Sequence, residues 1–195
     1  MNILIVYHSR LGSVKKMARL IGRGVESVDN CNAVIRSVAE VATQPDEANK
    51  LADSGDALVS HEELANCDGL IIGSPTRFGN MSASMKYFLD GTSNLWMSGG
   101  LSGKPAAVFT SSSSMHGGQE STCLSMLNPL LHHGMLICGI PFTESALGKT
   151  TTGGTPYGAS HVAGSSNTMP ISDDEKTLCL ALGKRVAQTA KKLAD

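Results

Sequence analysis

Five short apolar, β-branched runs alternate with segments of helical periodicity, which predicts an α/β fold built on a parallel sheet. The runs are continuously apolar rather than alternating, as expected of strands covered on both faces. Several of them lead through a small-residue turn into the next helical segment. With 195 residues, 41% hydrophobic content and a net charge of −1, the chain can bury a substantial core, and residues 1–195 are read as a single domain.

The first strand is Ile3-Leu4-Ile5-Val6-Tyr7. A helix over 13–28 follows, with Met17, Leu20, Ile21, Val25 and Val28 on one face. Residues 32–38, 69–73, 106–109 and 135–140 read as the remaining strands. Further helices are expected over 82–89 and 120–133, the latter perturbed at Pro129, which lacks the N–H its ladder wants. Ser172-Asp173-Asp174-Glu175 spells a capping box and opens a last helix, whose apolar face is Cys179, Leu182, Val186, Ala190 and Leu193. The sum is a doubly wound, three-layer α/β/α arrangement of flavodoxin type, a five-stranded parallel sheet of order 2-1-3-4-5. Two segments exceed this plan. Residues 41–65 are polar and weakly periodic, an exposed short helix and loop; residues 142–170, rich in Gly, Thr and Ser, form an insertion after strand five.

In such sheets ligands bind beyond the carboxyl ends of the strands, so the loops after strands one, three and four are expected to converge. The first is Ser9-Arg10-Leu11-Gly12-Ser13, running into Val14. A strand feeding a small-residue turn into a helix N-terminus presents unpaired N–H groups and a favourable dipole to an anion. Taken alone, this stretch reads equally as an ordinary turn. The second loop is Ser74-Pro75-Thr76-Arg77-Phe78-Gly79-Asn80-Met81-Ser82, and the third runs from Thr110 through Ser111, Ser112, Ser113, Ser114 and Gly117 to Gln119. Three polar, glycine-containing loops at one sheet edge point to a cofactor cradle. Neither G-x-G-x-x-G nor G-x-x-x-x-G-K-[ST] occurs, which argues against a dinucleotide fingerprint and a P-loop. A hydroxyl-rich turn without lysine suits a phosphomonoester, and so flavin mononucleotide (FMN).

Composition excludes other classes. The balanced charge gives no footprint for nucleic acid or an anionic membrane surface. No secretory signal or membrane-spanning stretch is read. Cys31, Cys67, Cys123, Cys138 and Cys179 are scattered without a C-x-x-C pair, so neither a metal site nor dithiol chemistry is expected. They read as reduced thiols of a cytoplasmic protein. His116 and His161 are expected to be loop histidines rather than ligands.

Four motifs now carry a family resemblance: Gly73-Ser74-Pro75-Thr76-Arg77-Phe78-Gly79-Asn80-Met81, Gly117-Gly118-Gln119-Glu120, Leu131-His132-His133-Gly134-Met135 and Gly153-Gly154-Thr155-Pro156-Tyr157-Gly158-Ala159. Through them the whole chain resembles the WrbA family of flavodoxin-like NAD(P)H:quinone oxidoreductases. The resemblance implies non-covalent FMN, with Ser9, Arg10, Leu11, Gly12, Ser13 and Val14 at its phosphate. Thr76, Arg77 and Phe78 would line the ribityl chain and ring, with Pro75 in the same cofactor-binding set. Ser111, Ser112, Ser113, Ser114 and Gly117 would supply donors to the ring's polar edge, where Gly79, Asn80 and the serine loop are the candidates to stabilise the negative charge of reduced flavin. His132 falls on the family's FMN-contacting histidine, Trp96 on its quinone-stacking tryptophan, and Leu11 on the position that meets the nicotinamide nucleotide. The implied reaction is ping-pong, two-electron reduction of quinones by NADH or NADPH in a homotetramer, as protection against oxidative stress. This chain departs in carrying Leu11 where an aromatic is frequent, and Ser111-Ser112-Ser113-Ser114 where S-T-G-T is common.

Three alternatives use the same fold, one of them an FMN reductase or azoreductase, which only the electron acceptor would distinguish. An electron-carrier flavodoxin is usually strongly acidic and aromatic-rich, against which stand the charge of −1 and 4% aromatic content. A non-enzymatic flavin-binding regulatory protein is the third, although no DNA-reading motif occurs.

Overall fold

In a computed structural model of the chain, residues 1–41 and 55–194 are described. Part of the polar segment expected over 41–65 therefore lies outside the described residues. The central strands are β1 (Asn2–Tyr7), β3 (Gly69–Pro75) and β4 (Pro105–Ser112), flanked by β2 (Asn32–Ser37) and β5 (Leu136–Ile137). All pair in parallel in the order β2-β1-β3-β4-β5, as the sequence predicts.

Side chains alternate between two cores. Ile3, Ile5, Tyr7, Ile71 and Phe109 face α1 (Ser13–Glu26) and the C-terminal helix. Leu4, Val6, Leu70, Ile72 and Val108 face the opposite layer. That layer contains α2 (His61–Asn66), α3 (Ala83–Asp90), the short α4 (Ser93–Met97) and α5 (Gln119–His132). The helix α5 runs through Pro129, and α2 opens with a capping box between Ser60 and Glu63. After α6 (Ser145–Lys149) and β6 (Ala159–Val162), α7 (Asp173–Ala194) closes the chain. It packs on α1 at van der Waals distance because a Cβ on Gly183 would lie 2.0 Å from the Ile21 carbonyl oxygen.

The structure corrects the expected fifth strand. Only Leu136 and Ile137 of the 135–140 run pair with β4, extended by one bond from Cys138 N–H to the Ala106 carbonyl at 2.7 Å. The chain then turns aside, Ile140 N–H bonding the Pro156 carbonyl, and Pro141 offers no N–H to continue a ladder. Its place beside the second half of β4 is taken by β6, which pairs Ala159–Val162 with Phe109, Thr110, Ser111 and Ser112. Among the described residues the sheet thus has six strands, and the insertion that follows the short fifth one contributes the sixth. The segment 142–170 is also not one long loop, since it contains α6 and β6. The polar run Ser160-His161 hid β6 from a reading based on apolarity. β4 likewise extends past 106–109 to take in Thr110, Ser111 and Ser112, all buried.

Candidate functional site

The carboxyl ends of β1, β3 and β4 open on a cleft of about 150 Å³, lined by Ser9, Arg10, Leu11, Ser13, Val14, Pro75, Thr76, Arg77, Ser111, Ser112 and Ser113. The three loops picked from sequence therefore meet.

The first loop is set by Gly12, whose φ of 89° is a left-handed conformation that glycine adopts without strain. Its carbonyl accepts the Lys16 N–H, while Ser9 Oγ reaches forward to accept the Lys15 N–H at 3.2 Å. The N–H groups of Ser13 and Val14, in the first turn of α1, have no acceptor among the described residues. Together with the helix dipole they form an anion-receiving end. The hydroxyls, the backbone donors and the space above Gly12, where an added Cβ would meet nothing within 4 Å, fit a phosphomonoester.

The second loop is a tight hairpin. Arg77 N–H bonds the Asn80 carbonyl at 2.8 Å and Asn80 N–H returns to the Arg77 carbonyl at 3.0 Å. Phe78 and Gly79 at its tip both have positive φ, 53° and 74°, as a type I′ hairpin turn requires. For a phenylalanine this is strained, and the ring stands fully exposed. Thr76 fastens the loop to the third one: its N–H bonds the Ser111 carbonyl, and its hydroxyl lies 2.7 Å from Thr122 Oγ1. Gly79 and Gly118 meet where a Cβ on Gly118 would stand 2.7 Å from the Gly79 Cα.

The third loop folds on itself. The Ser114 carbonyl accepts from Ser112 Oγ, Gln119 Nε2 and the Gly117 N–H. Ser113 lines the cleft, whereas Ser114 and Gly117 do not border it.

Trp96 and His132 are brought together, but elsewhere. They line a second cavity of about 500 Å³ with Asn80, Met81, Lys86, Asn128 and His133. Trp96 Nε1 donates to the His132 carbonyl at 2.8 Å. The hairpin string divides the two cavities, Pro75 to Arg77 on one and Asn80 and Met81 on the other, with Phe78 and Gly79 between. Leu11 lies on the first cavity and is largely exposed. Within one chain it therefore lines a different cavity from Trp96 and His132.

His133 is buried, and burial, followed by the neighbouring His132, lowers its pKa. The Thr92 hydroxyl donates to the Leu89 carbonyl at 2.7 Å, so the 2.9 Å contact with His133 Nε2 is a bond donated by the ring. That leaves Nδ1 as a buried atom without a partner among the described residues.

Sequence reading missed one wall of the first cleft. Gly164, Ser165 and Asn167, in the loop after β6, complete it. Asn167 Nδ2 donates to the Leu11 carbonyl at 3.0 Å. The only available signal was a Gly-Ser-Ser-Asn turn inside a segment too long for an idle loop.

Among the described residues no His, Cys, Asp and Glu cluster is suited to a metal, and no helix is long and apolar enough to cross a membrane. All five cysteines are free and buried.

Comparison with known proteins agrees with this architecture. Residues 1–143 match the family described as NADPH-dependent FMN reductase. A protein of Syntrophobacter fumaroxidans named NAD(P)H dehydrogenase (quinone) is 44% identical, covering 99% of this chain and 98% of its own. One of the same name from Geobacter sulfurreducens is 43% identical, with 99% of both chains covered. Among solved structures, the flavodoxin, WrbA-like protein from Agrobacterium tumefaciens superposes with a TM-score of 0.68, at 24% identity and 98% coverage of each chain, which shows the shared fold. The chain belongs to the NADPH-dependent FMN reductase family, on the branch whose full-length relatives are named NAD(P)H dehydrogenase (quinone).

Proposed function

We propose that this protein is an FMN-dependent NAD(P)H:quinone oxidoreductase. The observation that carries the reading is the convergence of three hydroxyl-rich loops on unspent helix N–H groups at the carboxyl edge of the sheet. The names of its full-length relatives support the same substrates. FMN, when bound, supplies the two-electron chemistry, taking a hydride from NADH or NADPH and delivering reducing equivalents to a quinone.

The chain's own residues bind and orient. Ser9, Arg10, Leu11, Gly12, Ser13 and Val14 serve the phosphate through neutral donors, the helix dipole and one exposed guanidinium. Pro75, Thr76, Arg77 and Phe78 flank the ribityl chain and ring. Gly79 and Asn80 hold the hairpin in the form that presents them. Ser111, Ser112 and Ser113 serve the ring's polar edge, where donors stabilise negative charge developing on reduction, and Ser114 and Gly117 hold their loop in shape behind it. Leu11 meets the nicotinamide, and Trp96 offers an amphipathic wall for a quinone.

The family resemblance implies a homotetramer, and the separation of Trp96 and His132 from Leu11 within one chain supports a site completed between copies. Donor and acceptor then use one slot in turn, giving ping-pong kinetics. Two-electron delivery suits a cytoplasmic role in disposing of quinones under oxidative stress.

The test is the visible spectrum of the purified protein, followed by anaerobic titration with NADH or NADPH and then benzoquinone. Bleaching of a flavin band that one equivalent of quinone restores is the expected result. Bound flavin that neither nucleotide bleaches would favour an electron carrier or regulatory protein, and failure to bind added FMN would refute the cradle. Light scattering during gel filtration reads the tetramer.

A further inference from the structure

We propose that Asn167, in the loop after β6, is a positioning residue of the phosphate turn: it fixes the Leu11 and Ser13 ends of that turn and determines which serine hydroxyl serves a phosphomonoester. This rests on the FMN reading above.

Both ends of the Asn167 amide are engaged across more than 150 residues of sequence. Nδ2 donates to the Leu11 carbonyl at 3.0 Å, and Oδ1 accepts the Ser13 hydroxyl at 2.8 Å. The side chain thereby spans Gly12, holding the turn from the residue on either side of it.

The loop that delivers Asn167 is itself preformed. Asn167 N–H bonds the Gly164 carbonyl and Met169 N–H bonds the Ala163 carbonyl, each at 3.0 Å. Asn167 has φ 56°, a left-handed conformation that asparagine tolerates better than most residues. At the loop's base, Val162 N–H is held by buried Glu175 at 3.0 Å. The geometry is that of a braced arm rather than a surface loop in chance contact.

The hydrogen-bond directions assign the two serines. Ser13 spends its proton on Asn167, so its hydroxyl is not free to donate elsewhere in this arrangement. Ser9 Oγ accepts from Lys15 N–H and keeps its own proton for an anion. The phosphate donors are then Ser9 Oγ and the N–H groups of Ser13 and Val14. A neutral amide suits this place, because a carboxylate would set negative charge beside a phosphate dianion.

The experiment compares apoprotein binding of FMN and riboflavin, followed by flavin fluorescence, for wild type, Asn167→Asp and Asn167→Gly, with the apoprotein melting temperature recorded for each. Asn167→Asp is expected to weaken FMN by roughly tenfold or more while leaving riboflavin nearly unchanged. Asn167→Gly keeps the backbone turn and should weaken FMN several-fold with the same selectivity. Ser9→Ala should lose more FMN affinity than Ser13→Ala. The proposal is overturned if both Asn167 variants bind FMN as wild type does, or if FMN and riboflavin weaken equally, which marks a general structural loss. Should Asn167→Asp fail to fold, Asn167→Gly decides by the same ratio. A wild-type apoprotein that binds neither flavin defeats the FMN reading itself, and this inference with it.

Discussion

Glu175 and His161 form a buried pair, Oε2 to Nδ1 at 2.9 Å, between the start of α7 and the last strand of the sheet. The capping box read from sequence is present, with Ser172 N–H on Glu175 Oε2 at 2.8 Å and Glu175 N–H on Ser172 Oγ at 3.2 Å. The same carboxylate also takes the N–H groups of Gly153 and Val162. A capping residue has become the clamp that holds the insertion against the sheet.

That clamp makes stability depend on acid. Burial alone would raise the Glu175 pKa, but the His161 bond and the backbone donors overcome it and bring it down to about 2. A lowered folded-state pKa stabilises the protein above the ordinary value of 4.5 and ceases to do so as pH falls toward about 2. Glu175→Gln presents an N–H where Ser172 N–H needs an acceptor, and is expected to cost about 2–3 kcal/mol at pH 7. Urea melts at neutral pH and between pH 5 and 2.5 check this. The variant should lose Glu175's share of the acid dependence, and an unchanged profile would remove the clamp.

Phe78 holds a positive φ that its Cβ disfavours, and its ring buries nothing in the single chain. Replacing it with asparagine should stabilise the fold by up to about 1 kcal/mol by relieving the turn. The same change should lower flavin affinity and quinone turnover, since the exposed ring is assigned to the flavin. Thermal melts paired with steady-state rates separate the two effects. A variant both less stable and fully active would contradict the assignment.

Thr92 links His133 to the N-terminus of the short helix that carries Trp96. Thr92→Val removes the acceptor of the Nε2–H and leaves the buried ring with neither nitrogen satisfied. We expect a loss of about 1–3 kcal/mol and a shifted Trp96 emission, readable without interference because Trp96 is the sole tryptophan. Unchanged fluorescence would mean that the placement of Trp96 does not depend on the Thr92–His133 bond.

Four of the five thiols should be inert in the native protein. Burial pushes Cys67 up to about 11 and Cys123 to about 12, and raises Cys138 and Cys179 as well. Thiolate is the reacting form, so a chromogenic disulfide at pH 8 should modify almost none of these four until denaturant is added. Rapid native modification of one of them would identify a site of local opening.

Much was legible in the sequence because it follows from local patterns. Ile3 to Tyr7, Leu70 to Ile72 and Ala106 to Phe109 announce buried strands by apolarity, and Met17, Ile21 and Val25 announce α1 by spacing. The small-residue turns announce where backbone donors are left unpaired. Order 2-1-3-4-5 then brings those turns to one edge, since parallel strands all end on the same side.

What the tertiary structure alone decided lies in pairings across long separations. Apolarity cannot reveal that Ser160 and His161 occupy a strand, because their polar groups are satisfied by Gly154 N–H and by Glu175, which are distant in sequence or brought near by the insertion's fold. Nor does any local pattern show that Asn167 spans the turn at Gly12, or that Trp96 and His132 line a different cavity from Leu11. Hydrophobic periodicity records only which face of an element is covered. The partner of a buried polar group is fixed when the chain has closed, because only then is water excluded and each donor left to find an acceptor among the residues that remain.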